Sequence, residues 1–316
     1  MFSWRSILGS HILASSPRVP VASLHGELAF TLLTYGLTLS NLAHASVVPL
    51  GSYEHERATS TAQRTAHDTT LGNAVQLLCR AAGVFNHLST VVLPQWDASN
   101  PGSAKGRPVD LNSDVLNALS SYVHPNISVL YHIEQYHSSH RRLSMAEVHV
   151  LAIRRMFSKA SAESALTPGP PLPASHPTPA IVAKLHLHIQ STLQTSVSFL
   201  KSADANADLR RYAERGAALQ AAIAHKWLGV EAGEAKRTVR CGEAIAWLRW
   251  AKDELDGLKK ANVGELVARV GEGREREAGR GSAKALLTRE IESASAFLKS
   301  YTQLNDTVRV LRLGAD

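Results

Sequence analysis

Cysteine is nearly missing: this chain has two in 316 residues, Cys79 and Cys241. Two thiols build neither a disulfide framework nor a cysteine-rich zinc site, and they fit a reducing compartment. Aromatic residues are also scarce, at 6 %. That scarcity, set against plentiful alanine and leucine, favours helix over sheet. A phosphate-cradling loop is lacking too: Gly271 and Gly273 have neither a preceding strand nor a following Lys-Ser/Thr. There is no nucleophile elbow and no Cys–His signature. His186 and His188 stand two apart, so on a helix they face different ways and cannot share a metal. His132, His137 and His140 fall in a stretch with no regular helical frame. The expectation is therefore a protein without catalytic residues, cofactor or metal.

What is present is apolar helix. The apolar fraction is 44 %, enough for a sizeable core, and the length suits one large domain or two ordinary ones. Net charge is +7 and the pI about 9.5. Such a balance permits acidic partners or anionic membrane. The basic residues are dispersed and lack interleaved aromatics, so no nucleic acid is expected as a partner, nor any small-molecule substrate. Trp227, Trp247 and Trp250 read as core or interface residues rather than a cation cage.

Along the chain, the first acid is Glu27. The serine- and arginine-containing start could pass for a mitochondrial transit peptide; a loop marked by Pro17 and Pro20 is the preferred reading. Glu27 to Val48 reaches membrane-span length, with Leu28, Leu32, Tyr35, Leu39 and Leu42 on one stripe and Phe30, Leu33 and Leu37 on another face. Interrupting Thr, Ser, Asn and His residues favour a buried helix. The central stretch runs from Leu71 to Trp96. Leu71, Val75, Leu78, Ala82, Phe85 and Val92 form its stripe, Gly83 suggests a close helix approach, and Pro94 should end it. A loop follows over 97–108, then a helix capped by Ser113.

Tyr122 to Ser144 has no clean stripe. It is expected to be a translated intron, because its removal joins Val115, Leu119, Met145, Ala152 and Met156 into one helical face. Met145 to Ala160 reads as helix, and Thr167 to Pro179 as a polyproline connector. The next helix, 180–201, turns Val182, Leu185, Ile189, Leu193, Val197 and Leu200 inward. Another covers 208–228. Ala244, Leu248, Ala251, Leu255 and Leu258, and then Leu287, Ile291, Ala294, Leu298 and Tyr301, alternate as in a coiled pair. Gly271 to Lys284 between them reads as a solvated charged stretch. The sum is an all-α solenoid or bundle with no strand pattern.

Several strings carry a resemblance: LHGELAFTLLTYGLTLSNLA (24–43), LLCRAAGVFNHL (77–88), VLAIRRMFSKA (150–160), LTPGPPLPASHPTPAIVAKLHL (166–187), LRRYAERGAALQAAIAHKWLGVEAGE (209–234) and CGEAIAWLRWAKDEL (241–255). Together they resemble the Bro-one-domain proteins of the fungal alkaline-pH response, a family related in fold to the ESCRT adaptors Alix and PalA. The resemblance implies a Bro-one-type helical solenoid with a TPR-like core over residues 1–308, with a short tail at 309–316. It also implies that N-terminal strands and first helices are missing, which would leave apolar faces of the 27–48 helix uncovered and the chain poorly soluble.

The implied function is that of a non-enzymatic scaffold. It is cytoplasmic and recruited to plasma or endosomal membrane, and it links a pH-sensing complex to ESCRT-III, so that a transcription factor is proteolytically activated. In such domains an apolar patch receives the C-terminal helix of the polymerising ESCRT-III subunit. Matching VLAIRR and PAIVAKL to the patch-bearing helices implies partner-binding roles for Leu151, Ile181 and Leu185. The alternative is a mitochondrial or membrane-associated helical protein, resting on the first fifty residues.

Overall fold

The computed structural model describes residues 2–8, 18–21, 23–56, 59–101, 107–120, 143–163, 170–235, 240–268 and 274–313. Among them the protein is all-α except for one short hairpin. The long helices are α1 (Leu24–Val47), α2 (Thr61–His87), α5 (Leu143–Glu163), α6 (Pro179–Ser202), α7 (Ala207–Ala235), α8 (Cys241–Ala268) and α9 (Arg274–Leu313). Two short ones are α3 (Leu93–Ser99) and α4 (Ser113–Leu119). The chain divides into two compact units. The first holds 1–45, 72–149 and 191–214; the second holds 46–71, 150–190 and 215–316. The segment read as a translated intron lies outside the described residues except at its last two positions, where α5 begins. Three of the histidines noted in it lie outside them as well.

The first unit opens with the hairpin, β1 (Phe2–Arg5) antiparallel to β2 (Arg18–Val21), with Trp4 opposite Val19. This corrects the expectation of no strands. Four residues carrying two polar side chains, or a proline, are too short to show alternation. What holds the hairpin is tertiary: Trp4 stacks on Phe30 at 5.4 Å and donates its indole N–H to Glu27 at 2.8 Å. The backbone beyond it is gripped by Asp110, a fully buried carboxylate. Asp110 accepts from the Ser6 hydroxyl and from the amides of Ile7 (2.7 Å) and Leu8 (3.0 Å). Charge-assisted bonds of this kind let a carboxylate be buried.

On α1 the inward face is Gly26, Ala29, Phe30, Leu33, Gly36, Leu39 and Ala43. Gly36 lies directly under the Phe85 ring of α2; a methyl group there would sit 2.6 Å from Cε1. The buried stripe of α2 contains Leu71, Leu78, Ala82 and Phe85, with Val75 half-buried. Two residues beyond Gly83, where a close approach is expected, Phe85 makes one of its own over Gly36. Pro94 does not end the helical run. A π-turn over Leu88–Val92 precedes α3, and Pro94 occupies its first turn. Proline is tolerated there because that amide needs no intrahelical partner. The stretch Thr61–Ser99 passes a length-and-composition test for crossing a membrane, with 39 % of its apolar window buried; a core helix passes the same test. Asn112, rather than Ser113, caps α4, accepting from the Asp114 amide at 2.7 Å.

In the second unit α7 is notched. A Cβ at Gly229 would lie 2.8 Å from Leu248 Cγ of α8, and one at Gly233 would collide with the Tyr301 ring of α9. Tyr301 is 2 % exposed and donates to Glu234 at 2.8 Å, so its ring has nowhere to swing. Alongside, Ala222, Leu255, Leu287 and Ala294 form a buried cluster with Leu219, Leu258 and Ile291 against it. That seam is the coiled pair read from the sequence. The charged stretch between the two helices of that seam is helical from Arg274 onward. Its side chains are strong helix formers, and propensity prevails over its two glycines.

The same unit buries charge. Lys226 Nζ donates to Glu290 Oε2 at 2.6 Å and lies 4.3 Å above the Trp227 ring. Burial would push the Glu290 carboxyl up, but Lys226 and Arg289 outweigh it and hold it at about 2. Burial, aided by Arg289 and Lys226 against Glu54 and Glu290, pushes His55 down to about 4. His186, wholly buried, is likewise held at about 4 by burial, against the raising effect of its 2.6 Å bond to Gln220 Oε1. That acceptor requires the proton on Nδ1. Nearby, Arg154 clamps Glu54 with two bonds of 2.9 Å.

Two outcomes follow. Gly233→Ala should lose ~2 kcal/mol in urea unfolding, because overpacking against a fixed ring exceeds the helix-propensity gain. Gly72→Ala, with open space around its Cβ, should not lose stability; equal effects at both sites would refute the notch. The second outcome concerns pH. His55 and His186 stay neutral when folded but gain protons below 6.5 when unfolded. Their contribution is complete above that value and is withdrawn as pH falls toward 4, on the order of 1–3 kcal/mol each. The Glu290 contribution is present above 4.5 and is lost toward 2. The melting temperature should therefore fall steadily as pH drops from 6.5 to 4, and His186→Gln should flatten that slope. A level profile would overturn the buried neutral imidazoles.

Candidate interaction surface

Among the described residues no three His, Cys, Asp or Glu side chains gather at metal-binding distance. The residues expected to meet a partner lie on α5 and α6. Leu151 lies on α5 and is 7 % exposed; Leu185, on α6, is 9 % exposed. Both pack inward as stability residues do. Ile181 is half-buried, in the first turn of α6, one turn before Leu185 and on the same face. It alone of the three has appreciable surface to offer a partner.

That turn is well fixed. Pro179 opens α6, and the Ile181 and Val182 amides donate to Thr178 O at 3.0 and 3.2 Å. The Ala180 amide donates to Glu231 Oε2 of α7 at 3.1 Å. Before it, Ser175 donates to Ala160 O at 3.2 Å, and His176 packs between Phe157 (5.3 Å) and Trp227 (5.1 Å). The proline connector is thereby a packed segment over residues 170–179.

Other surfaces carry exposed apolar side chains. Trp250 is 51 % exposed, stacked on Trp247 at 5.3 Å and on His225 at 4.2 Å, with His225 bonded to Glu254 at 2.7 Å. In the first unit Glu147 of α5 accepts from the Tyr212 hydroxyl at 2.8 Å and pairs with His44 at 3.0 Å. The hydrogen bond to Glu147 raises the His44 imidazole above its ordinary value, although burial opposes it. On α1 the stripe expected inside is mostly outside. Leu28 is 46 %, Tyr35 41 % and Leu42 54 % exposed, whereas Leu39 is in the core. The spacing was visible in the sequence. The side it faces was not, because α1 is apolar nearly all round.

No family model matches the chain, and no solved structure matches it. A curated relative does. The pH-response regulator protein palC of Cryptococcus neoformans var. neoformans serotype D (strain B-3501A) is 29 % identical over 357 aligned residues, which cover 97 % of this chain and 68 % of the relative. At that coverage the alignment includes residues of both units. Over nearly its whole length, then, the chain is PalC-like.

Proposed function

We propose that this protein is a non-enzymatic adaptor in ambient alkaline-pH signalling. In this reading it is a Bro-one-type scaffold in the cytoplasm, recruited to plasma or endosomal membrane by a pH-signalling complex. There it binds the C-terminal helix of the polymerising ESCRT-III subunit and so promotes proteolytic activation of the transcription factor PacC. The observation that carries the reading is the similarity to a named pH-response regulator along 97 % of the chain. The Bro-one-like strings quoted above support it, as does an all-α body whose rigid helix faces suit helix-in-groove recognition.

Ile181 is the residue of the implied patch best placed to meet a partner. Ile181→Asp should weaken capture of the ESCRT-III C-terminal helix at least tenfold, since a lost apolar anchor costs ~2 kcal/mol. Far-ultraviolet circular dichroism should be unchanged. Wild-type capture by a folded Ile181→Asp protein would remove this face from the interface. Failure of the wild-type chain to bind the helix at all would sink the adaptor reading.

A further inference from the structure

The outer face of α1 carries a repeat that the core does not use. Leu24, Leu28, Thr31, Tyr35, Thr38, Leu42 and Ala45 follow one another at steps of four and three, and all seven are exposed. That is the seam of a coiled coil, three heptads long. It spans about 32 Å at the α-helical rise of 1.5 Å per residue. Leu24 is 85 % exposed and Leu42 54 %, on a helix whose opposite face is fully packed. Three exposed leucines and a tyrosine aligned on one helix face, with threonines between them, are the feature of an interaction site.

The charges beside the seam specify what fits. Between Leu24 and Val47 the only formally charged side chain is Glu27, and its Oε2 accepts from Trp4. On α2 the neighbouring exposed positions are Asn73, Gln76, Arg80 and His87. Arg80 donates to the Tyr35 hydroxyl at 2.7 Å, which sets a guanidinium against the middle of the seam. His44, near its far end, has its affinity for a proton raised by Glu147. The seam is thus apolar along its floor and cationic at its centre, in a chain of net charge +7. A second copy would bring Arg80 toward Arg80 across a two-fold centred on Tyr35, and like charges there disfavour it.

We infer that the outer face of α1 docks an amphipathic helix from another protein, one that presents leucine-type residues at heptad spacing and carboxylates on the flank facing Arg80. This does not rest on the pH-signalling reading and uses none of the residues assigned to it.

The probes are two synthetic three-heptad peptides with leucine at the seam positions. One carries glutamate and the other lysine at the flanking positions. Titrated against the full chain by fluorescence anisotropy, the glutamate peptide should bind at least about tenfold tighter than the lysine peptide. The double variant Leu28→Gln/Leu42→Gln should weaken it about tenfold or more with unchanged helicity, both side chains being exposed. Arg80→Gln should remove the preference for glutamate while leaving the apolar binding. Ile181→Asp should change none of this. Equal binding of the two peptides, or none, overturns the inference. So does sedimentation showing a dimer abolished by Leu28→Gln/Leu42→Gln, which makes a second copy the occupant. Binding of the chain to phosphatidylserine vesicles lost in the same double variant would assign the face to lipid and overturn it equally.

Discussion

Rings seated in glycine notches set how closely the helices of this protein approach. Phe85 occupies the space over Gly36 in one unit, and Tyr301 the space over Gly233 in the other. Leu248 does the same over Gly229. Glycine inside a helix costs about 1 kcal/mol against alanine. The fully buried aromatic side chains, at 1 % exposure for Phe85 and 2 % for Tyr301, return more than that in apolar area removed from water. Because each notch accepts one side chain in one place, helix register is fixed as well as distance. The buried charges depend on that register. Lys226 can meet Glu290, 64 positions away, at 2.6 Å because α7 and α9 are already held against each other at Gly233.

Burial is the main reason the imidazoles of His55 and His186 are neutral, and the cations near Glu290 add to it. Lys226 and Arg289 already supply two positive charges to the pocket of Glu290, so a third, on His55, is unfavourable as well as desolvated. Breaking the Lys226–Glu290 pair from one side would strand a buried charge, which costs more than the pair contributes. The polar core is therefore a matter of specificity: it admits one arrangement of α7 and α9 and penalises others.

Much of this was legible in the sequence where one face is apolar and the other polar. All six inward positions predicted on α6, from Val182 to Leu200, are buried. The 4-3 alternation on α8 and α9 matches the observed seam. Legibility failed where periodicity carries no direction. On α1 two apolar stripes compete, and the packed one is chosen by Gly36, which admits Phe85. Pro94 was misread because a π-turn moves the break point upstream. Asp110 gives no sequence signal: its partners are two amides and a hydroxyl about a hundred residues away. The strings that place Leu151, Ile181 and Leu185 on patch-bearing helices convey position along a helix but not the side that faces water; Leu151 and Leu185 are buried and Ile181 is half-buried.

The two faces of α1 are linked in physical terms. Its inner face is locked by the Phe85 ring in the Gly36 notch and by Trp4 stacked on Phe30. A helix held in that way cannot rotate or fray to hide Leu24, Leu28 and Leu42, although water would favour hiding them. The cost of exposing them is borne by the packing beneath, and the outer face is thereby ordered before any partner arrives. A partner helix then pays only for its own ordering, and that entropy is the largest avoidable penalty in helix-in-groove binding. The small residues that make the core close are, by the same packing, what make the surface ready.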